Sequence, residues 1–548
     1  MRNTDQAEFY RAAERFIDRF MEEEPVAATQ MGDHRFDDRL ADYSKAALDR
    51  QVGQVRQAIA EFESFDTSGF DVDAGIDHRL MLQIARSALR SFEKLKGHMR
   101  NPGAYCQECL GGVFLLLIKD FAPLEERLEK ALGRLRAIPE VLARGQENIS
   151  PAEVPPVWNQ VALESAQQGL ALFSMLIPAL AQQTPRLAPQ LNEASQAAAK
   201  AMEEYVRFLK EEVAGKARGD FAVGRELFEE MLRDDHMLDY SAEELLQTGW
   251  RLFEDTQAQM EKLAGEIGGG KTVKELLEDA KADHPKAEEL LDVYRREMAR
   301  VKEFVAQRGI VTIPEGESLK IEPTPPFLRG IIPYAAYMMP GPLEKKQEGI
   351  FLVTPVDPQS PREEQEEKLR GQNHAKIPVT ALHEAYPGHH LQLVYANTVG
   401  SLPRKLGGFI STLFIEGWAF YCEELMEQLG YIDKPMQRLG RLTDQLWRAA
   451  RIILDVSLHT GKMTVEEGID FLVEKAGLER SNAQAEVRRY TMSPTQPMSY
   501  LIGKLEIMKV IDEYKSKHPE ASLKDIHDAV LSCGSLPPRL MRERLLTS

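Results

Sequence analysis

Three imidazoles and one carboxylate lie within eight consecutive positions, in the segment HEAYPGHH at 383–390. Neutral imidazole is a common zinc ligand, and a carboxylate beside the metal can accept a proton from the water that the metal activates. The usual zinc-protease motif, H-E-x-x-H, places two histidines four residues apart on one face of a helix. Here Pro387 occupies the position of the second histidine, and the later imidazoles are His389 and His390. The segment therefore predicts a zinc hydrolase centre with an altered spacing, in which His383 is one ligand and Glu384 is the base.

The altered spacing decides which imidazoles can share one ion. On an unbroken helix His389 would point roughly a third of a turn away from His383, and His390 would lie about 10 Å further along the axis. Pro387 cannot donate a backbone hydrogen bond, and it disfavours a helical conformation at the residue before it. We therefore expect a helix that ends near Glu384, a bulged insertion, and a second helix that brings a later imidazole back toward the metal. The alternative is a pair of histidines that cap or pack a kinked helix.

A third ligand is expected from the segment FIEGWAFYCE at 414–423. Its flanks are strongly apolar, so the helix is predicted to be buried, and Glu416 and Glu423 lie two turns apart on one face. Buried carboxylates are costly unless they are paired or bind a metal. A catalytic zinc takes three protein ligands and keeps one open position, so Glu416 would complete the set while Glu423 orients a ligand imidazole. The alternative is an ion pair with a basic residue such as Arg404.

Composition and charge restrict the class of protein. At 548 residues the chain exceeds what one hydrophobic core usually serves, so two lobes are expected. Acidic residues outnumber basic ones by 86 to 68, which argues against a nucleic-acid surface. The first residues form no apolar secretion core, and the longest apolar run, at 170–181, is too short to cross a membrane. Four cysteines fit a reducing compartment, so a cytoplasmic location is predicted.

The elements that position these residues are predicted to be mainly helical. Residues 1–215 are rich in Ala, Leu, Glu, Arg and Gln, with apolar residues spaced three and four apart, and they form the first predicted lobe. Its amphipathic stretches lie at 8–23, 79–100, 124–142 and 192–213. Residues 216–548 form the second lobe, which carries the candidate metal site. Within it, GEIGGGKT at 265–272 matches a phosphate-loop pattern, but the charged, helical segment before it predicts a loop between two helices.

Short β-prone segments precede the histidines, at 310–314, 331–334 and 349–354, and they predict a small sheet beside the metal site. Zinc peptidases often hold an extended substrate against a sheet edge, so we expect the last of these segments, with Gly349 and Phe351, to contact substrate. The alternative is a structural hairpin.

The motifs H-E-x-x-P-G-H-H and E-G-W-A together resemble the bacterial domain of unknown function 885 family. That family is similar to helical zinc peptidases such as angiotensin-converting enzyme, oligopeptidases and thermostable carboxypeptidases. The resemblance covers nearly the whole chain and includes PFLR at 326–329, DVSLHT at 455–460 and RY at 489–490. It implies a mainly α, zincin-like fold of two helical lobes around a deep cleft, with a small β-sheet near the metal. It also implies that His389, the first histidine after the glycine, is the second ligand.

The resemblance implies a mechanism with zinc as the cofactor. The residues that it assigns are the zinc ligands His383, His389 and Glu416, the base Glu384, the oxyanion donors Tyr490, Tyr500 and His459, and Arg489, which would pair with a substrate carboxylate. Each of the last four has a structural alternative as a helix tie, a core histidine or an ion-paired arginine. The expected function is a zinc metallopeptidase acting on small peptides. The alternatives are a zinc hydrolase of a non-peptide amide and a non-catalytic helical binding protein; the oligomeric state stays open.

Overall fold

The protein, described here from a computed structural model for residues 4–325, 329, 332, 334–407 and 411–547, divides into two compact units. The first comprises Met1–Val223 together with Gly341–Glu344, and the second comprises Gly224–Pro340 together with Lys345–Ser548. The division after Val223 lies beyond the predicted boundary at 215, and a short piece of the later chain joins the first unit.

The first unit is helical. Its helices are α1 (Thr4–Glu23), α2 (Pro25–Met31), α3 (Lys45–Glu63), α4 (Val72–Arg90), α5 (Gly97–Arg100), α6 (Pro102–Ile118), α7 (Leu124–Asn148), α8 (Pro156–Ala171), α9 (Ile177–Ala181) and α10 (Ala188–Phe208). In α1 the residues Phe9, Ala13, Ile17 and Met21, spaced four apart, are buried along one face. The predicted stretches at 8–23 and 124–142 lie within α1 and α7, whereas the stretch at 79–100 is interrupted after Arg90.

The second unit carries the candidate site and fifteen of the described helices. They are α11 (Arg225–Asp234), α12 (Ala242–Ile267), α13 (Val273–Ala282), α14 (Leu290–Arg308), α15 (Arg362–Gly371), α16 (Ile377–Glu384), α17 (His389–Thr398), α18 (Leu402–Leu406), α19 (Leu413–Gln428), α20 (Pro435–His459), α21 (Val465–Glu474), α22 (Arg480–Tyr490), α23 (Ser499–Lys517), α24 (Leu523–Leu531) and α25 (Pro538–Thr547). None of the helices described in either unit is long and apolar enough to span a bilayer.

A close contact between α19 and α23 helps to form the site. Gly417 of α19 faces Gly503 of α23. A side chain at Gly417 would clash with the backbone of α23, and a side chain at Gly503 would clash with the backbone of α19. Because glycine allows this approach, the start of α23 lies directly beside α19. The second half of α20 is fully buried, since every residue from 449 to 459 is buried.

The glycine-rich segment at 265–272 connects two helices, as predicted. α12 ends at Ile267, and the three glycines that follow have positive φ angles. Thr272 then caps α13 through a reciprocal pair of hydrogen bonds with Glu275. A phosphate loop would follow a β-strand, whereas this loop follows a helix of 26 residues.

A sheet of three strands precedes the histidines: β1 (Ser318–Pro323), β2 (Ala335–Met338) and β3 (Glu348–Val353), in the order β1-β3-β2. β3 pairs with β1 in parallel and with β2 antiparallel. The prediction of a mainly α fold with a small sheet is therefore confirmed.

Two details of the predicted sheet are wrong. Gly349 and Phe351 do not lie on an edge strand, because β3 is central and its backbone groups pair on both sides. Residues 310–314 form no strand, since the Ile310 carbonyl accepts from His527 Nδ1 and the Thr312 N–H donates to Asp528. These partners on α24 take the backbone groups that a strand would have used. The remaining predicted strand, 331–334, falls partly outside the described residues.

Candidate metal centre

The insertion in the histidine motif separates two helices. α16 ends at Glu384 and α17 begins at His389, so the chain breaks its helix where the sequence predicts. The Gly388 N–H donates to the Leu382 carbonyl, and a side chain at Gly388 would clash with the His383 carbonyl oxygen. Trp418 of α19 donates from Nε1 to the Pro387 carbonyl at 2.8 Å, which fixes the inserted residues against α19.

Three residues from three helices converge at this break: His383 of α16, His389 of α17 and Glu416 of α19. One potential ligand atom from each lies within 4.8 Å of the other two, and His389 Nε2 lies 3.4 Å from Glu416 Oε2. The two imidazole rings are nearly perpendicular, with centroids 4.7 Å apart. Tetrahedral zinc with bonds of about 2.1 Å holds its ligand atoms roughly 3.4 Å apart, so the cluster is close to the required size.

Glu423 orients one of the candidate ligands. His383 Nδ1 lies 2.7 Å from Glu423 Oε1, and both residues are buried. An N–H at Nδ1 that donates to this carboxylate leaves Nε2 with its lone pair for a metal, which is the usual arrangement of a ligand histidine. His389 Nδ1 is also buried, and no described residue forms a hydrogen bond with it. The donor set, its orienting carboxylate and this unsatisfied nitrogen fit a zinc ion.

The electrostatics of the cluster favour an ionised carboxylate at Glu416. Burial would raise the pKa of this carboxyl, but the hydrogen bond with His389 and the charges of His389, His383 and Arg451 lower it to about 2. Burial opposes protonation of His389, whereas Glu416, Glu384 and Glu423 together raise its pKa above the ordinary value. The carboxylates that favour a proton on His389 would also favour a divalent cation, which would bind in place of that proton.

Glu384 is the last residue of α16, adjacent to His383, and it is half-buried. Its charge is among those that raise the pKa of His389, so its carboxylate lies close enough to act on the same cluster. A carboxylate in this position can exchange a proton with a water molecule held at the cluster.

His390 lies in a different environment from its neighbour. Its Nε2 is 2.7 Å from Glu317 Oε2, and its Nδ1 is 3.0 Å from the Tyr337 hydroxyl. A Cβ at Gly349 would lie 2.6 Å from His390 Nδ1, so the glycine of β3 provides space for this ring. The structure therefore groups His389, and not His390, with the other two candidate ligands, and it places Gly349 in packing contact with a histidine.

Tyr490 and His459 are buried where α20 and α22 meet. The Tyr490 hydroxyl accepts from Arg451 Nε at 2.9 Å and from Trp447 Nε1 at 3.3 Å. His459 is fully buried, and its Nε2 lies 3.0 Å from the Tyr490 carbonyl oxygen. These contacts tie α20 to α22.

Tyr500 is connected to the cluster through one aromatic ring. Its ring centroid is 6.4 Å from that of Phe420, which in turn is 6.0 Å from the His383 ring. Arg489 is part-exposed, and its Nη2 pairs with Glu486 at 2.9 Å. Phe351 is buried against Tyr294, whose ring lies 5.4 Å away.

The sequence interpretation did not include Arg448 and Arg451 of α20. The charge of Arg451 contributes to the low pKa of Glu416, which places this guanidinium near the cluster. The sequence does contain a pattern that could have indicated them, because two arginines one helical turn apart precede a run of apolar residues that is buried in α20. Buried arginines are uncommon unless they pair or bind a ligand.

Comparisons with known proteins extend over nearly the whole chain. The model of a family described as "Bacterial protein of unknown function (DUF885)" matches residues 25–545. A solved structure described as a "putative lipoprotein of unknown function" from Shewanella oneidensis is 27% identical, with a TM-score of 0.81 over 98% of this chain and 99% of that one. A second, a "putative lipoprotein" from Colwellia psychrerythraea, is 18% identical, with a TM-score of 0.83 over 99% of each chain. No curated protein matches the chain.

Proposed function

Since the chain belongs to the bacterial DUF885 family, whose function is unknown, we propose its function from its own residues: a zinc-dependent metallohydrolase, and most specifically a metallopeptidase that cleaves short peptides. The observation that carries this proposal is the convergence of His383, His389 and Glu416 within 4.8 Å. Two imidazoles and one carboxylate form the protein ligand set of many zinc hydrolases, and they leave a position for water.

Zinc suits these donors better than the harder cations do. Calcium and magnesium prefer sites built from oxygen atoms, whereas two of the three donors here are imidazole nitrogens. A zinc ion bound at this site would supply Lewis acidity, which polarises a carbonyl group and lowers the pKa of water.

The protein's own residues provide proton transfer and orientation. Glu384 accepts a proton from the attacking water and delivers it to the leaving amine. Glu423 holds the His383 ring through the 2.7 Å contact with Nδ1. Tyr500 is our candidate for donating a hydrogen bond to the oxyanion, because the Tyr490 hydroxyl interacts with the Glu486 carboxylate and His459 Nε2 with the Tyr490 carbonyl oxygen.

Metal analysis and a peptide digest test this proposal. We expect the purified protein to contain about one zinc per chain and to hydrolyse members of a mixed peptide library, with products identified by mass spectrometry. Glu384→Gln should retain zinc and lower kcat by roughly 10²–10⁴-fold, because the base is lost while the ligands remain.

The outcomes separate the alternatives. Hydrolysis that persists in Glu384→Gln would remove this residue from the role of base. Bound zinc without peptide cleavage would favour a non-peptide amide as the substrate. A protein that neither contains nor takes up zinc would favour a non-catalytic binding protein.

We also propose a cytoplasmic location for this chain. The two structural neighbours, by contrast, are named as putative lipoproteins. Fractionation of cells that express the native gene is the direct test, and recovery of the protein with the cell envelope would contradict the proposal.

A further inference from the structure

Two arginines of α20 flank an aromatic ring beside the candidate metal centre. The guanidinium carbon of Arg448 lies 5.6 Å from the centroid of the Tyr500 ring, and that of Arg451 lies 4.4 Å from it. Arg448 also lies 5.3 Å from the centroid of Phe420, whose ring is 6.0 Å from that of His383. Arg448 therefore lies one aromatic ring away from a candidate metal ligand, and Arg451 lies two rings away, through Tyr500 and Phe420.

Both arginines have buried N–H groups without acceptors. Arg451 is 4% exposed, and its Nη1 forms no hydrogen bond with any described residue. The Arg448 side chain is 14% exposed; its Nη1 has an ion-pair contact of 3.4 Å with Asp444, and its Nε has no hydrogen-bond partner among the same residues. A guanidinium offers five donors in a planar fork, and burial of donors that remain unsatisfied is costly. The arrangement is explained if a ligand supplies the acceptors.

The surrounding charges also leave room for an anion. Among the described residues, two carboxylates form ion pairs with the cations of this group, and each is shared between two of them. The ion pairs are Asp444 with Arg448 at 3.4 Å, Asp444 with Lys376 at 3.6 Å, Glu486 with Arg451 at 3.1 Å, and Glu486 with Arg489 at 2.9 Å. Within these ion pairs four cations share two carboxylates, and Glu416 is a further carboxylate whose charge acts on Arg451. A zinc ion bound by Glu416 would offset that charge, so the two guanidinium groups favour an acidic group on the ligand.

We propose that Arg448 and Arg451 bind the free α-carboxylate of a peptide substrate, so that the enzyme acts on peptides with an uncapped carboxyl terminus and cleaves near that end. A carboxylate matches the planar fork of a guanidinium and accepts two parallel hydrogen bonds from it. This inference rests on the proposed peptidase function. It replaces Arg489 with two more deeply buried arginines as the residues that recognise the carboxylate.

Hydrolysis of a matched substrate pair tests the inference. The pair is an amino-terminally blocked short peptide with a free carboxyl terminus and the same peptide with a carboxamide terminus. The zinc-loaded enzyme should cleave the free acid with a kcat/KM roughly tenfold to a hundredfold higher, the range expected for charge-assisted hydrogen bonds. Arg448→Gln should reduce this acid-to-amide ratio, and Arg451→Lys, which keeps the charge without the fork, should reduce it less than Arg451→Gln.

Arg438 provides the matched control variant. It lies on the same helix and pairs with Glu427 at 2.8 Å, and its side chain is 42% exposed. Arg438→Gln should therefore leave the ratio of the two substrates unchanged. An acid-to-amide ratio that stays as high in Arg448→Gln and Arg451→Gln as in the wild type would overturn the assignment of the two arginines.

A binding measurement separates this inference from the proposed function. Calorimetric titration of zinc-loaded Glu384→Gln with both peptides measures carboxylate recognition without turnover. The inference is supported if zinc-loaded Glu384→Gln binds the free acid preferentially and this preference is lost in the double variants with Arg448→Gln or Arg451→Gln. That support holds even if the wild type cleaves neither peptide. Absence of cleavage would reject the peptidase proposal only. Equal cleavage and equal binding of the two peptides would overturn the inference and leave the peptidase proposal intact.

Discussion

Two adjacent histidines, His389 and His390, lie in chemically different surroundings although each is next to a glutamate. His390 has a partner on each ring nitrogen, because Glu317 contacts Nε2 and Tyr337 contacts Nδ1. His389 has a looser contact of 3.4 Å with Glu416, and its Nδ1 forms no hydrogen bond with any residue that the structure describes.

The difference distinguishes a structural polar network from a candidate binding site. Groups in a buried structural network satisfy one another, as Glu317 does with His390, Tyr386 and Lys302. The ligand atoms of a metal site instead converge on one point, where the ion rather than another side chain satisfies them. By this criterion the cluster around His389 is the candidate site, and the network around His390 stabilises the fold beneath it.

Replacement of the two histidines should give the largest contrast. His389→Ala should lose zinc and hydrolytic activity together, because two protein ligands hold a zinc ion weakly. His390→Ala should retain zinc, since its partners lie outside the cluster, but it should unfold more readily. Elemental analysis and thermal melting of both purified variants measure these effects. Loss of zinc in His390→Ala alone would reverse our assignment of the ligand.

Replacement of Glu423 and of Glu317, one beside each histidine environment, should give a difference in zinc affinity of intermediate size. Glu423→Gln should weaken zinc binding by roughly tenfold to a hundredfold, because the charge that orients His383 is lost while a hydrogen-bond acceptor remains. Glu317→Gln should leave zinc affinity unchanged. Competition with a chelator of known affinity measures both, and an equal loss in the two variants would show that the regions are not independent.

The pH dependence of stability should show the smallest effect. Burial would raise the pKa of Glu317, but hydrogen bonds with His390, Lys302 and Tyr386 lower it to about 2 from 4.5. Because the pKa is lower in the folded protein, the stabilisation is complete above the unfolded value and is lost as the pH falls from about 4.5 toward 2. Glu317→Gln should therefore reduce the free energy of unfolding by about 2 kcal/mol at neutral pH, and by less in acid.

Urea denaturation of the wild type and Glu317→Gln at several pH values measures this difference. Glu322→Gln, at an exposed position on β1, is the matched control and should change little at any pH. A difference between wild type and Glu317→Gln that stays constant across the acid range would contradict the role of this carboxylate.

Local features of the site could be predicted from the sequence because short-range geometry determines them. Pro387 cannot donate to the preceding turn, and Gly388 can approach the His383 carbonyl, so the helix has to break between Glu384 and His389. Glu416 and Glu423 were identified because two carboxylates on one face of an apolar helix need partners. The long amphipathic helices of the first unit follow from periodicity in the same way.

Tertiary structure alone decided which distant groups meet. Residues 310–314 have strand propensity, yet their backbone binds α24, more than two hundred residues later in the sequence. β3 became a central strand because β1 and β2 pair with both of its edges, and no local signal specifies that order. The environments of His389 and His390, and the position of Arg448 and Arg451 beside Tyr500, likewise depend on how α17, α19, α20 and α23 pack. Propensity and periodicity act over a few residues, whereas these contacts are set by the packing of the whole second unit.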